Sequence, residues 1–267
     1  MMNQTAGMTG AVPPRPNLRI YWLEFRNELL KNLRMPTYTI ASLAFPLMFY
    51  LLFAMMYGSQ TVAGPSTAAY MLATMGAFGV VGAALFGYGV GVATERGQGW
   101  MILKRASPMP PLAYFAAKAA MALVMSAIIV LMLFAAGALS QGIRLPLATW
   151  TQLFASMVVG VIPFCALGLA FGYIAGPNSA PVIVNIIYLP LGFFSGMWIP
   201  LPVLPAFIQA IAPWLPTYHF GQLALMPLGA SQLDSAWPSI AYLAAFTAVF
   251  LLLALILYRR DSGKRAG

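Results

Sequence analysis

Charge is scarce in this sequence: 7% of its 267 residues are Asp, Glu, Lys or Arg, against 61% that are hydrophobic. A water-soluble domain carries about 25% charged residues, so this composition excludes an ordinary soluble protein. Cysteine and histidine occur once each, Cys165 inside an apolar run and His219 in a Pro-rich loop. One of each cannot assemble a disulfide framework or a Cys/His metal site, and a lone histidine removes metalloprotease chemistry. No Ser/His pairing of the serine-protease kind is found. Cys165 reads as a small residue packed between helices. There is no Gly-x-x-x-x-Gly-Lys-Ser/Thr stretch, since Gly263-Lys264 has neither the loop nor a following helix. The chain is therefore expected to be no enzyme and to bind no cofactor itself. Acids and bases are also missing from the long apolar stretches, apart from Lys118 near one end. Ion-driven carriers place such groups at membrane depth, so any transport would draw energy from outside this chain.

What is there is apolar length. A hydrocarbon core of about 30 Å needs about 20 helical residues at about 1.5 Å each. Six stretches qualify: Thr37 to Tyr57, Ala68 to Ala93, Leu112 to Leu139, Trp150 to Ile174, Pro181 to Ile199 and Pro238 to Tyr258. The expected fold is an all-α integral membrane protein of six transmembrane helices. The formal net charge of +9 does not point to nucleic acid, because the basic residues flank the apolar runs. Basic flanks stay in the cytoplasm, and with the N-terminus inside, 13 of the 14 Lys and Arg residues lie on that side, leaving only Arg144 outside. Both termini are thus expected to be cytoplasmic, in the inner membrane. A signal peptide is the competing reading of the first stretch, given small residues at Val62 to Ala69, but the polar lead and the apolar run are both too long for one. The expected organisation is a flexible tail at 1–16, an interfacial helix at 17–36, the six-helix domain at 37–258 and a basic tail at 259–267.

Before the first stretch, Leu18, Trp22, Phe25, Leu29 and Leu33 form one stripe of a helical wheel. Such a helix rests in the headgroup layer with its stripe toward acyl chains, leaving its polar side, with Glu24 and Glu28, for a cytoplasmic partner. After the second stretch, Thr94 to Trp100 and Lys104 to Pro108 make the densest charge cluster between spans, with Glu95 the only acid between Glu28 and Asp234. Glycines crowd the second stretch, and Gly168/Gly172 and Gly192/Gly196 are spaced by four, which lets helix backbones approach closely. The Pro-rich segment Pro200 to Trp237 contains apolar pieces too short to cross a bilayer. They read as half-inserted external helices, with Trp214, Tyr218 and Trp237 in the interfacial aromatic belt.

This order of features resembles the membrane subunit of type-2 ATP-binding-cassette exporters, over about residues 17 to 260. The most specific matching segments are Glu95-Arg96-Gly97 running to Ser107-Pro108, and Phe194 to Pro200 with Leu204-Pro205 and Pro213 to Pro216. The resemblance implies that the Glu95 loop couples to a separately encoded ATPase, with Glu95, Arg96, Gly97, Trp100, Glu24 and Glu28 as the coupling residues. It implies re-entrant external half-helices, and two permease copies with two ATPase copies, ATP and Mg being held by the ATPase. It also implies a substrate path where the first, second and fifth spans of two copies face each other. Phe45, Tyr50, Phe53, Phe86, Tyr88, Phe193, Phe194 and Trp198 are its candidate lining, a set suited to an amphiphilic drug, antibiotic or lipid-like molecule. A polysaccharide or glycolipid permease stays open, as do an ATP-independent channel or carrier and a membrane scaffold.

Overall fold

The computed structural model describes residues 18–34, 36–58, 60–61, 64–107 and 109–264. The expected tail at 1–16 and Pro108 lie outside them. The elements are helices joined by short turns: α1 Leu18–Leu33, α2 Pro36–Tyr57, α3 Thr67–Ala84, a π-helical turn Leu85–Val90, α4 Gly91–Gly97, α5 Trp100–Ala106, α6 Pro111–Ser140, α7 Leu147–Val159, α8 Ile162–Ile174, α9 Ala180–Phe194, α10 Ala206–Ile211, α11 Pro216–Leu225 and α12 Trp237–Lys264. Strand pairing among the described residues amounts to one isolated bridge, Thr61 with Ser66.

Among the described residues, four continuous apolar helical segments are long enough to cross a membrane: Thr67–Gly97, Leu112–Ser140, Leu147–Ile174 and Trp237–Asp261. They correspond to the second, third, fourth and sixth expected spans. The first expected span falls on α2, Pro36–Tyr57, of 22 residues, and the fifth on the shorter apolar helix Ala180–Phe194. The fifth stretch stops at Phe194 instead of Ile199 because Gly196 turns the backbone at φ 78°, a left-handed conformation that glycine adopts without a Cβ penalty. Its 15 residues span about 22 Å at about 1.5 Å per residue.

The α3–α4 segment is the axis of the bundle. Within its most apolar window 94% of residues are buried, with α2, α6, α8, α9 and α11 packed around it. Small side chains make that possible. A Cβ on Gly82 would lie 2.6 Å from the Tyr188 hydroxyl, and one on Gly160, at the break between α7 and α8, 2.1 Å from the Phe220 ring. The glycines therefore act as close-packing positions. Cys165 is buried in α8, and α8 packs along α12.

The segment after α9 folds back onto the bundle. His219 belongs to α11, not to a loop: its Nε2–H donates to the Pro213 carbonyl at 2.9 Å, Nδ1 accepts from the Ser239 hydroxyl at 3.0 Å, and its ring stacks on Tyr242 at 4.1 Å. Trp214 and Trp237 are exposed as expected, but Tyr218 is buried among Leu201, Leu204, Ile208 and Ala212. At the segment expected as a basic tail, α12 continues as helix through 264.

Candidate functional site

An ion-pair cluster lies at the basic end of the bundle, and a cavity opens between α2, α3 and α9.

Four of the chain's five acids lie at the basic end, and each meets a cation. Glu95, at the end of α4, and Glu28, on α1, are both buried. Between them sits Lys118 of α6, 3% exposed, with Nζ 2.8 Å from Glu28 Oε1 and 3.0 Å from Glu95 Oε1. Lys31 of α1 pairs with Glu95 and reaches Glu28 at 3.4 Å. The Tyr114 hydroxyl donates to the other oxygen of Glu95 at 2.5 Å. Two carboxylates and two ammonium groups thus neutralise one another, which is what burial demands, because a buried charge deprived of its partner is strongly destabilising. Burial opposes the charge on Lys31, but the Glu95 and Glu28 carboxylates outweigh it and hold its ammonium above the ordinary lysine range.

Around this core, Lys104 of α5 pairs with Glu24 of α1 and lies 4.4 Å from the centre of the Tyr114 ring. Arg96 takes a different direction. Its guanidinium donates to the Gly172 carbonyl and to Asp261 Oδ1, both at 2.7 Å, and packs over Tyr173 at 5.1 Å. Adjacent residues of one turn therefore tie α4 to α1 and α6 through Glu95, and to α8 and α12 through Arg96.

The α1 stripe behaves as expected at Leu18, Trp22 and Leu33, which face outward. On the opposite side Glu24, Glu28 and Lys31 pair with other side chains of the protein, while Arg26 and Asn27 stay exposed. Gly97 packs against Pro177, where a Cβ would meet the ring at 2.6 Å. What the basic end offers outward is the apolar side of α5, with Trp100, Ile102 and Leu103 each more than half exposed. Of the six expected coupling residues, Gly97 and Trp100 are thus the exposed ones. Lys118 was visible in the sequence as the lone charge of its stretch. Tyr114, Tyr173 and Asp261 were missed, because nothing local marks a partner dozens of residues away.

The cavity measures about 400 Å³ and is lined by Ser42, Phe45 and Pro46 of α2, Gly79, Gly82 and Ala83 of α3, Phe86 of the π-turn, and Asn185, Tyr188 and Leu189 of α9. Among the described residues, no charged one lines it. Phe45 and Phe86 are the expected lining residues that the structure brings together here. Tyr50 is fully buried in the α2–α3–α6 packing, and Phe53 packs against the same cluster. Tyr88 is buried, its hydroxyl donating to the Phe115 carbonyl at 2.5 Å. Phe193 and Phe194 pack on the cluster around α10, and Trp198 fits between Phe49 and Phe78, with ring centres 5.5 and 5.3 Å away. Ser42, Asn185 and Tyr188 were missed, since single polar residues in apolar runs give no pattern.

Residues 20–229 match the ABC-2 type transporter family. The chain belongs to that family. It is 30% identical over 238 residues, 88% of this chain and 95% of the relative, to YvfS of Bacillus subtilis (strain 168), named as a candidate transport permease. It is 30% identical over 124 residues, 41% of this chain and 33% of the relative, to YhhJ of Escherichia coli (strain K12), named as an inner membrane transport permease, and equally so to the YhhJ of Shigella flexneri. ABC-2 family membership and its apolar helices make this a multi-pass membrane protein of transport permease type, in a family that works with a partner ATPase.

Proposed function

We propose that this chain is the transmembrane permease subunit of an ATP-driven exporter, moving a hydrophobic or amphiphilic molecule such as a drug, antibiotic or lipid-like compound out of the cytoplasm or inner leaflet. Two copies of the chain pair with two copies of a separately encoded ATPase, which holds ATP and Mg. It crosses the bacterial inner membrane six times, α2 and α9 being the first and fifth spans, with both termini cytoplasmic and α10 and α11 as the external re-entrant pair.

The observation that carries this reading is the ion-pair cluster beneath an exposed apolar helix. The cluster fixes α5 to α1 and to the base of α6 through Glu24, Glu28, Glu95, Lys31, Lys104 and Lys118, and Arg96 fixes the same turn to α8 and α12. A push on Trp100, Ile102 and Leu103 would then move four spans together instead of bending a loop. The cluster acts as a joint between an ATPase-facing surface and the membrane helices, and Glu95 and Arg96 act inside that joint while Trp100 meets the ATPase. The uncharged, aromatic cavity supports an amphiphilic cargo.

The test is purification with candidate ATPase subunits in mild detergent, followed by ATP hydrolysis. Wild type is expected to form a complex that hydrolyses ATP. Trp100→Ala/Leu103→Ala should lose association, whereas Glu95→Ala/Arg96→Ala should keep association but lose control of hydrolysis. Failure to associate with any ATPase, with transport persisting in vesicles that lack one, would replace this reading with a self-sufficient channel or carrier.

A further inference from the structure

α9 carries one amide along its apolar length, Asn185, and it is exposed. Its Nδ2 donates to the Pro181 carbonyl, one turn earlier, at 3.0 Å. That bond uses one of the amide's N–H groups, and among the described residues Oδ1 has no partner. The same side chain lines the cavity beside Tyr188 and Leu189, across from Ser42 and Phe45 of α2 and Phe86 of the π-turn. The Tyr188 hydroxyl already donates its proton to the Phe78 carbonyl at 3.0 Å and so has none to give a ligand; its ring is stacked on Phe78 at 4.2 Å.

A carboxamide oxygen facing hydrocarbon without a donor is costly, and polar groups of membrane helices accordingly find partners across an interface or in a ligand. The cavity lining supplies aromatic faces and no charge. A ligand that satisfies both features is uncharged and aromatic, with one O–H or N–H that donates to Oδ1 while its rings lie against Phe45 and Phe86.

We propose that Asn185 is a specificity-determining residue of the cavity, its Oδ1 accepting a hydrogen bond from a hydroxyl or amide N–H of an uncharged aromatic amphiphile. This rests on the permease reading, since it takes the cavity as part of the cargo path. It goes beyond that reading by dividing hydrophobic compounds into those with a donor and those without.

The test uses two fluorescent probes of matched shape, 1-pyrenemethanol and 1-methylpyrene, titrated into purified full-length protein in nanodiscs with empty nanodiscs subtracted. Wild type is expected to prefer the alcohol by about 2- to 10-fold, the range of one net hydrogen bond. Asn185→Leu should abolish the preference while keeping the affinity for 1-methylpyrene, and Asn185→Gln should restore part of it. Binding of both probes with equal affinity, or an alcohol preference that survives in Asn185→Leu, overturns the assignment and leaves the cavity as a cargo site. No binding of either probe to wild type overturns both. Conversion of the Asn185→Leu protein from dimer to monomer, read by mass photometry, also overturns it, because Asn185 would then join two copies.

Discussion

The axial segment α3–α4 and the last helix α12 are both long and apolar with charge only at their final turns, yet 94% of the most apolar window is buried in the first and 11% in the second. The more hydropathic of the two is the more exposed. In water the reverse holds, since apolar area drives burial. In lipid, burial follows from how closely backbones can approach. Gly76, Gly79, Gly82 and several alanines give α3 a narrow profile, whereas Leu251, Leu252, Leu255 and Ile256 of α12 stay 46–61% exposed. Side-chain size, more than hydropathy, separates core from lipid face here.

The largest effect comes where the axis ends in charge. Lys118→Met removes the cation between Glu28 and Glu95, and the loss is expected to be about 3–5 kcal/mol, as for other buried pairs broken on one side. Thermal unfolding in detergent should show it, with Lys118→Arg recovering part. Next, Gly82→Leu drives a side chain into the Tyr188 hydroxyl and should cost about 1–3 kcal/mol or more by overpacking. A stable Gly82→Leu protein would break the comparison.

Lys31 gives a smaller effect with a defined pH range. Its folded value is raised above the ordinary 10.5, so its stabilising contribution is complete below pH 10.5 and is lost as pH rises through the folded value. The difference in unfolding temperature between wild type and Lys31→Met should be flat from about pH 7 to 10 and shrink above that. The smallest effect is on the outside: Leu252→Ala, at a position 61% exposed in α12, should change stability by less than about 0.5 kcal/mol.

Much of this architecture is legible in the sequence because lipid imposes simple rules. Apolar length marked the four long spans and a Pro-rich segment marked the short helices after α9. Spacing of four or three marked the outward stripe of α1. The end of α9 was misplaced because the apolar run continues through Met197, Trp198 and Ile199 after the backbone has turned at Gly196. The candidate site was legible in position but not in direction. Glu24, Glu28, Glu95 and Arg96 form charged patches in the sequence, and patches suggest an outer surface. Their partners Lys104, Lys118 and Asp261 come from other helices, 80, 90 and 165 residues away, so inward pairing has no local signature. Asn185 was illegible for the opposite reason, being one polar residue with nothing around it to make a pattern.

The π-turn Leu85–Val90 fixes the angular phase of everything beyond it. A π-turn inside an α-helix holds one residue more than the α-turn it replaces, and one residue corresponds to about 100° of rotation. Phe86 in the cavity and Glu95 at Lys118 are therefore set on their separate bearings by that extra residue. Deleting Gly87 would leave α3 in place and turn Glu95 and Arg96 about a quarter of the way around the axis. Unfolding temperature would then fall as far as in Lys118→Met if bearing governs the cluster, and would barely change if the helix end can rotate back.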